Sequence, residues 1–171
     1  MTEQLNGQLS NASPTILVVD DEVAIVKLCK ALLEGSGFTV LEAGNSDEAL
    51  KTCTQHRGAI DLLLTDLVLS PLSFQLGSTA NQFPKMQGHE LAIRASMIRS
   101  DLRIILMSGN PDQTLANYGI KRGTFPFLAK PFERAHLIAT VQQVLSQPAP
   151  TLAADIESSA NGSELTGWVQ H

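Results

Sequence analysis

The chain reads as an α/β protein: a doubly wound, five-stranded parallel sheet with five helices packed on its two faces. Three observations predict it. Five short apolar runs recur along the chain, at Thr15–Val19, Phe38–Glu42, Leu62–Thr65, Ile104–Ser108 and Phe125–Ala129. Segments with helical spacing follow them, so strand and helix alternate five times. The first, third and fourth runs are apolar on successive residues, as expected where both faces of a parallel strand are covered. Right-handed crossovers then lay helices on either side of the sheet.

The elements follow in order. Val23, Val26, Leu28, Leu32 and Leu33 mark a first helix, stopped by Gly35-Ser36-Gly37. Ser46 is the predicted N-cap of a second helix, with Asp47 and Glu48 in its first turn and an end near Gln55. Leu91, Ile93, Ala95, Met97 and Ile98 mark a third helix starting near Gly88. A short fourth runs from Pro111 to Tyr118. A fifth begins near Glu133 and carries Leu137, Ile138, Val141, Val144 and Leu145.

Composition bounds what such a fold does here. The 171 residues suit one domain, and 43% hydrophobic residues exclude wholesale disorder. With 17 Asp and Glu against 12 Lys and Arg, a basic nucleic-acid face or a polybasic membrane anchor is not expected. No apolar run reaches the roughly 20 residues that cross a bilayer, and Met1–Asn11 lacks the layout of a secretory signal. Cys29 and Cys53 fall in helical segments without metal-ligand spacing, as buried thiols of a cytoplasmic protein would. Three zones are expected: a flexible leader at 1–13, the folded domain at 14–146, and a disordered tail at 147–171 that holds no output domain. Trp168 lies in that tail, and His56, His89, His136 and His171 are scattered as surface residues.

The strand ends carry the chemistry. Asp20, Asp21 and Glu22 follow the first run, Asp66 the third, Ser108-Gly109 the fourth and Lys130-Pro131 the fifth. A parallel sheet gathers these ends at one edge, where ligands of such folds bind. Three close carboxylates repel and call for a proton or a cation. Oxygen ligands of this kind suit Mg2+ or Mn2+, which in turn suits phosphoryl transfer. A lysine and a hydroxyl supply further charge and a donor to phosphoryl oxygens. Asp66, on the middle strand, is the natural nucleophile for an acyl phosphate.

The segments Ile16-Leu-Val-Val-Asp-Asp-Glu22, Asp61-Leu-Leu-Leu-Thr-Asp66, Ile105-Leu-Met-Ser-Gly109 and Phe127-Leu-Ala-Lys-Pro-Phe132 resemble the receiver domain of two-component response regulators. The last two look most like receivers found with hybrid sensor histidine kinases. The resemblance implies a flavodoxin-like three-layer sandwich and a signalling switch rather than an enzyme. It implies that Asp66 accepts a phosphoryl group from a phosphohistidine on a sensor histidine kinase or a histidine phosphotransfer protein. Asp21 and Asp66 would ligate Mg2+ directly, Asp20 through a water, and the backbone carbonyl of Val68 would complete the set. Ser108 takes the switch-hydroxyl position, Lys130 the charge partner of phosphorylated Asp66, and Phe127 the switch aromatic. Lys130-Pro131 matches a bond that is usually cis in the family. Output would pass to a downstream protein target, to a phosphotransfer protein, or to a second copy through the face of the fourth helix, fifth strand and fifth helix.

One stretch departs from the family. Between Asp66 and Gly88 the connection is about a dozen residues longer than usual, well past a typical connection of about 4–6 residues. Leu72, Phe74, Leu76, Phe83 and Met86 make this loop, at about 67–87, too apolar for a solvated linker. It is expected to fold back, over the phosphorylation pocket or as a partner surface. A pseudo-receiver acting as a phosphorylation-independent interaction module is the alternative reading. A haloacid-dehalogenase-like phosphatase would need a second acid where Val68 stands, and a dinucleotide-binding turn would need glycines where Asp20-Asp21-Glu22 stands.

Overall fold

The computed structural model describes residues 12–69, 87–121 and 123–149. The expectations for most of the leader, for the loop at 70–86 and for nearly all of the tail lie outside those residues. The elements are β1 (Thr15–Val19), α1 (Val23–Glu34), β2 (Thr39–Ala43), α2 (Ser46–Gln55), β3 (Leu62–Asp66), α3 (Gly88–Ile98), β4 (Arg103–Ser108), α4 (Pro111–Asn117), β5 (Phe127–Ala129) and α5 (Arg134–Ser146). One sheet of five strands runs in the order β2-β1-β3-β4-β5, parallel throughout. The three continuously apolar runs are the three interior strands, β1, β3 and β4, and the edge strands β2 and β5 are only partly buried.

Because side chains alternate across a strand, each interior strand feeds two cores. Leu17, Leu63 and Leu106 pack with Cys53, Leu91 and Leu115 under α2, α3 and α4. Ile16, Leu64 and Ile105 pack with Cys29, Leu33 and Leu137 under α1 and α5. Both thiols are buried and free.

Four local expectations change. Asn45, not Ser46, caps α2: its side-chain oxygen accepts the Glu48 N–H at 2.9 Å, and the Glu48 carboxylate accepts the Gly44 N–H at 2.8 Å. β5 starts at Phe127 rather than Phe125: Pro126 has no N–H to give a ladder, and its carbonyl accepts the Leu106 N–H at 3.0 Å. On α3 the buried stripe is Leu91, Ala92, Ala95 and Ser96, so Ile93, Met97 and Ile98 face outward, Met97 with 76% of its surface exposed. His89 is half-buried, its ring against Tyr118 at a centroid distance of 5.5 Å.

Two arginines close helix ends from far along the chain. The Arg99 guanidinium donates to the carbonyls of Cys53 at 2.8 Å and Gly58 at 2.9 Å, and to that of His56. Arg103 donates to the Gln147 carbonyl beyond α5, at 2.8 and 3.1 Å. Cys53 lies in the last turn of α2, where carbonyls lack helical partners, His56 and Gln147 directly follow α2 and α5, and Gly58 lies in the loop after α2. No helix among the described residues is long and apolar enough to cross a membrane.

Candidate functional site

The sheet delivers the sequence-predicted residues to one edge. Asp20 follows β1 and is almost wholly buried, 1% exposed. Its Oδ1 accepts the Glu22 N–H at 2.9 Å, and its own N–H donates to the Ala43 carbonyl at 3.3 Å. That bond to Glu22 steadies the turn before α1 but is no helix cap, since α1 starts after Glu22 without a side-chain cap. The Asp20 Oδ2 accepts from Lys130 Nζ at 2.6 Å. Asp66 ends β3, half-buried, with Oδ2 3.2 Å from the same ammonium and Oδ1 accepting the Val68 N–H at 3.3 Å. Asp21 is exposed, and carboxylate oxygens of Asp20, Asp21 and Asp66 all lie within 4.8 Å of one another.

Lys130 is placed by backbone: its N–H donates to the Ser108 carbonyl at 2.8 Å, extending the β4–β5 ladder, and a cis peptide joins it to Pro131. The shorter of its two ion pairs is with Asp20 rather than with Asp66. Burial pushes the Asp66 carboxyl above the ordinary aspartate range, Lys130 pulls it down, and Asp20 pushes it up again. For Lys130 burial acts to lower the affinity for its proton, but the bonds and charges of Asp20 and Asp66 together raise it. The ammonium thus persists between two carboxylates. The donor set is all oxygen, closely spaced and partly open to solvent, which fits a hard divalent cation.

Gly88 explains how the chain leaves and re-enters this edge. Its N–H donates to the Leu67 carbonyl at 2.9 Å, and a Cβ there would lie 2.0 Å from the Asp66 carbonyl oxygen. Only glycine lets α3 start against the backbone of the Asp66 turn. Leu67 is fixed on its other side by its own N–H to the Met107 carbonyl at 2.8 Å. Val68 has a partly exposed side chain.

Ser108 is buried at the end of β4, and its hydroxyl does not stand free. Its Oγ lies 3.3 Å from the Thr114 Oγ1 and accepts the Asn110 N–H at 3.2 Å. Neither partner was singled out in the sequence, although a threonine six residues after Ser108, on the next helix, is a readable pattern. Phe127 is half-buried at the edge of the α2–α4 core and lines a cavity of about 260 Å³ with Leu106, Leu115, Ile120 and His136. Burial of Cys29, with Asp20 adding to it, pushes its thiol up to about 11, which disfavours the thiolate.

Residues 16–142 match the family model for the response regulator receiver domain. The DNA-binding transcriptional regulator NtrC of Azospirillum brasilense is 30% identical over 154 residues, covering 90% of this chain and 29% of that protein. The sensor kinase CckA of Brucella abortus is 28% identical over 137 residues, covering 80% and 13%. The chain therefore spans less than a third of either relative. Among solved structures, a response regulator receiver domain protein from Clostridium thermocellum superposes with a TM-score of 0.61 at 29% identity, over 77% of this chain and 94% of the other. The receiver domain of the hybrid histidine kinase CckA gives 0.58 at 28% identity, over 77% and 99%.

Proposed function

Since the chain belongs to the response regulator receiver domain family of two-component signalling, we propose that it is a phosphorylation-controlled switch with Asp66 as its phosphoacceptor. The observation that carries this reading is the Asp66 carboxylate, held 3.2 Å from the Lys130 ammonium and within 4.8 Å of the Asp20 and Asp21 carboxylate oxygens. An Asp66 oxygen attacks the phosphorus of a phosphohistidine, and the N–P bond breaks as the O–P bond forms. The electron pair returns to the imidazole, which leaves neutral when its other ring nitrogen is protonated. Lys130 sets a positive charge beside the incoming phosphoryl group, and Asp20 holds that ammonium in place. Asp20, Asp21, Asp66 and the Val68 carbonyl would hold Mg2+ or Mn2+, which neutralises charge on phosphoryl oxygens when bound. Ser108 supplies a hydrogen bond to the phosphoryl group, and Phe127 follows the change at the β4–β5 edge.

The donor is a phosphohistidine of a sensor kinase or phosphotransfer protein in the cytoplasm. Output is protein binding or onward phosphotransfer through the face of α4, β5 and α5, with neither nucleic acid nor membrane contacted directly. With Val68 where a second acid would serve, the domain is a phosphoacceptor and not a multiple-turnover phosphatase. Intact mass after incubation with a small-molecule phosphodonor tests this. One phosphoryl group should be gained with Mg2+, not without it, and not by Asp66→Asn. Absence of any gain would favour a phosphorylation-independent interaction module.

A further inference from the structure

The hydroxyls around Ser108 carry one more inference, which rests on the switch reading above and adds a residue to it. A hydroxyl owns one proton. That of Thr114 goes to the Asn110 carbonyl, 2.6 Å away. Its oxygen is then left only as an acceptor, so the 3.3 Å contact with Ser108 is a bond that Ser108 donates. The Ser108 oxygen in turn accepts the Asn110 N–H. The single proton of Ser108 is therefore committed to α4, and Ser108 itself is buried. The same helix is tied at its far end. Tyr118 N–H donates to the Thr114 carbonyl at 3.2 Å, and the Tyr118 ring meets His89, next to the Gly88 that abuts Asp66.

We propose that Thr114 is a positioning residue for phosphoryl transfer: its hydroxyl oxygen holds the Ser108 proton in the unphosphorylated protein, and phosphorylation of Asp66 draws that donor away and loosens α4. A phosphoryl oxygen wins the exchange because a charged acceptor makes a hydrogen bond roughly twice as strong as a neutral one. The bond given up on Thr114 is subtracted from that gain, so Thr114 sets how readily the switch turns.

The test uses Thr114→Val, which removes the acceptor and keeps the Thr114 N–H to Asn110 carbonyl bond of 3.0 Å, with Thr114→Ser as the rescue. Each is made in the wild-type and Ser108→Ala backgrounds. Phosphorylation by acetyl phosphate in Mg2+ is followed by intact mass. In parallel, NMR couplings across the Ser108 Cα–Cβ bond are read in the unphosphorylated protein. Thr114→Val should phosphorylate about two- to tenfold more readily, the worth of one neutral hydrogen bond. Thr114→Ser should match wild type, Thr114→Val should have no effect beside Ser108→Ala, and the Ser108 side chain should change from one rotamer to an average. Unchanged phosphorylation with an unchanged rotamer overturns the proposal, as does an equal gain in the Ser108→Ala background. Should wild type take no phosphoryl group at all, the switch reading fails, while the rotamer comparison still decides whether Thr114 holds Ser108.

Discussion

Asp66 is a carboxylate kept at a site that works against its charge. Its folded-state proton affinity is raised, chiefly by burial. A group with a raised folded pKa contributes stability that is fully present below its unfolded value, about 3.9 for aspartate, and lost as pH rises through the folded value. At neutral pH the ionised Asp66 therefore costs stability. In metal-free buffer Asp66→Asn should melt higher than wild type near pH 7, and the advantage should shrink as pH falls toward 4. Lys130 keeps its 2.6 Å partner Asp20 in the variant, so no buried cation is stranded. Thermal melts of both proteins across that range check the sign, and a variant melting lower at pH 7 would contradict it. The two carboxylates and the lysine were readable as residue types at strand ends. That the lysine sits closer to Asp20 than to Asp66 was not, because a sequence gives the edge a residue reaches and not the ångström separation there.

At the scale of elements, helices and strands were legible where their signals are local. The Gly35-Ser36-Gly37 stop, the Pro111 start and the three interior strands follow from short-range pattern, and each element lies where that pattern puts it. The outward face of α3 was not legible, since Ile93, Met97 and Ile98 satisfy helical spacing as well as the true core stripe does. Nor was the end of α2, whose carbonyls are closed by an arginine more than forty residues away. Arg99→Ala would remove the guanidinium that donates to three carbonyls. It should lower stability by roughly 1–3 kcal/mol, with the loss of amide protection concentrated in the last turn of α2. Hydrogen exchange with mass detection measures both, and a uniform loss across the sheet would argue against a local role.

At the scale of the whole molecule, one sheet separates two cores that share every interior strand. Leu63 and Leu64 are neighbours in β3, both fully buried, one in each core. Leu63→Ala and Leu64→Ala should each cost about 2–5 kcal/mol. Each should also keep a single unfolding transition, because neither core persists without the strands that line the other. Calorimetry and denaturant melts check this, and a biphasic transition in either variant would mean that the two faces unfold separately.

The sequence by itself determined the fold class, the order of elements, the strands buried on both faces and the residue types at the functional edge. Burial period and strand-end chemistry are local, written in runs of a few residues. Only the tertiary structure decided which oxygens Lys130 shares, why position 88 must be glycine, and which hydroxyl stands beside that of Ser108. Those depend on backbones and hydroxyls brought within about 3 Å from distant parts of the chain. Hydrogen bonds weaken and close contacts turn repulsive over tenths of an ångström, a precision that spacing along a sequence does not hold.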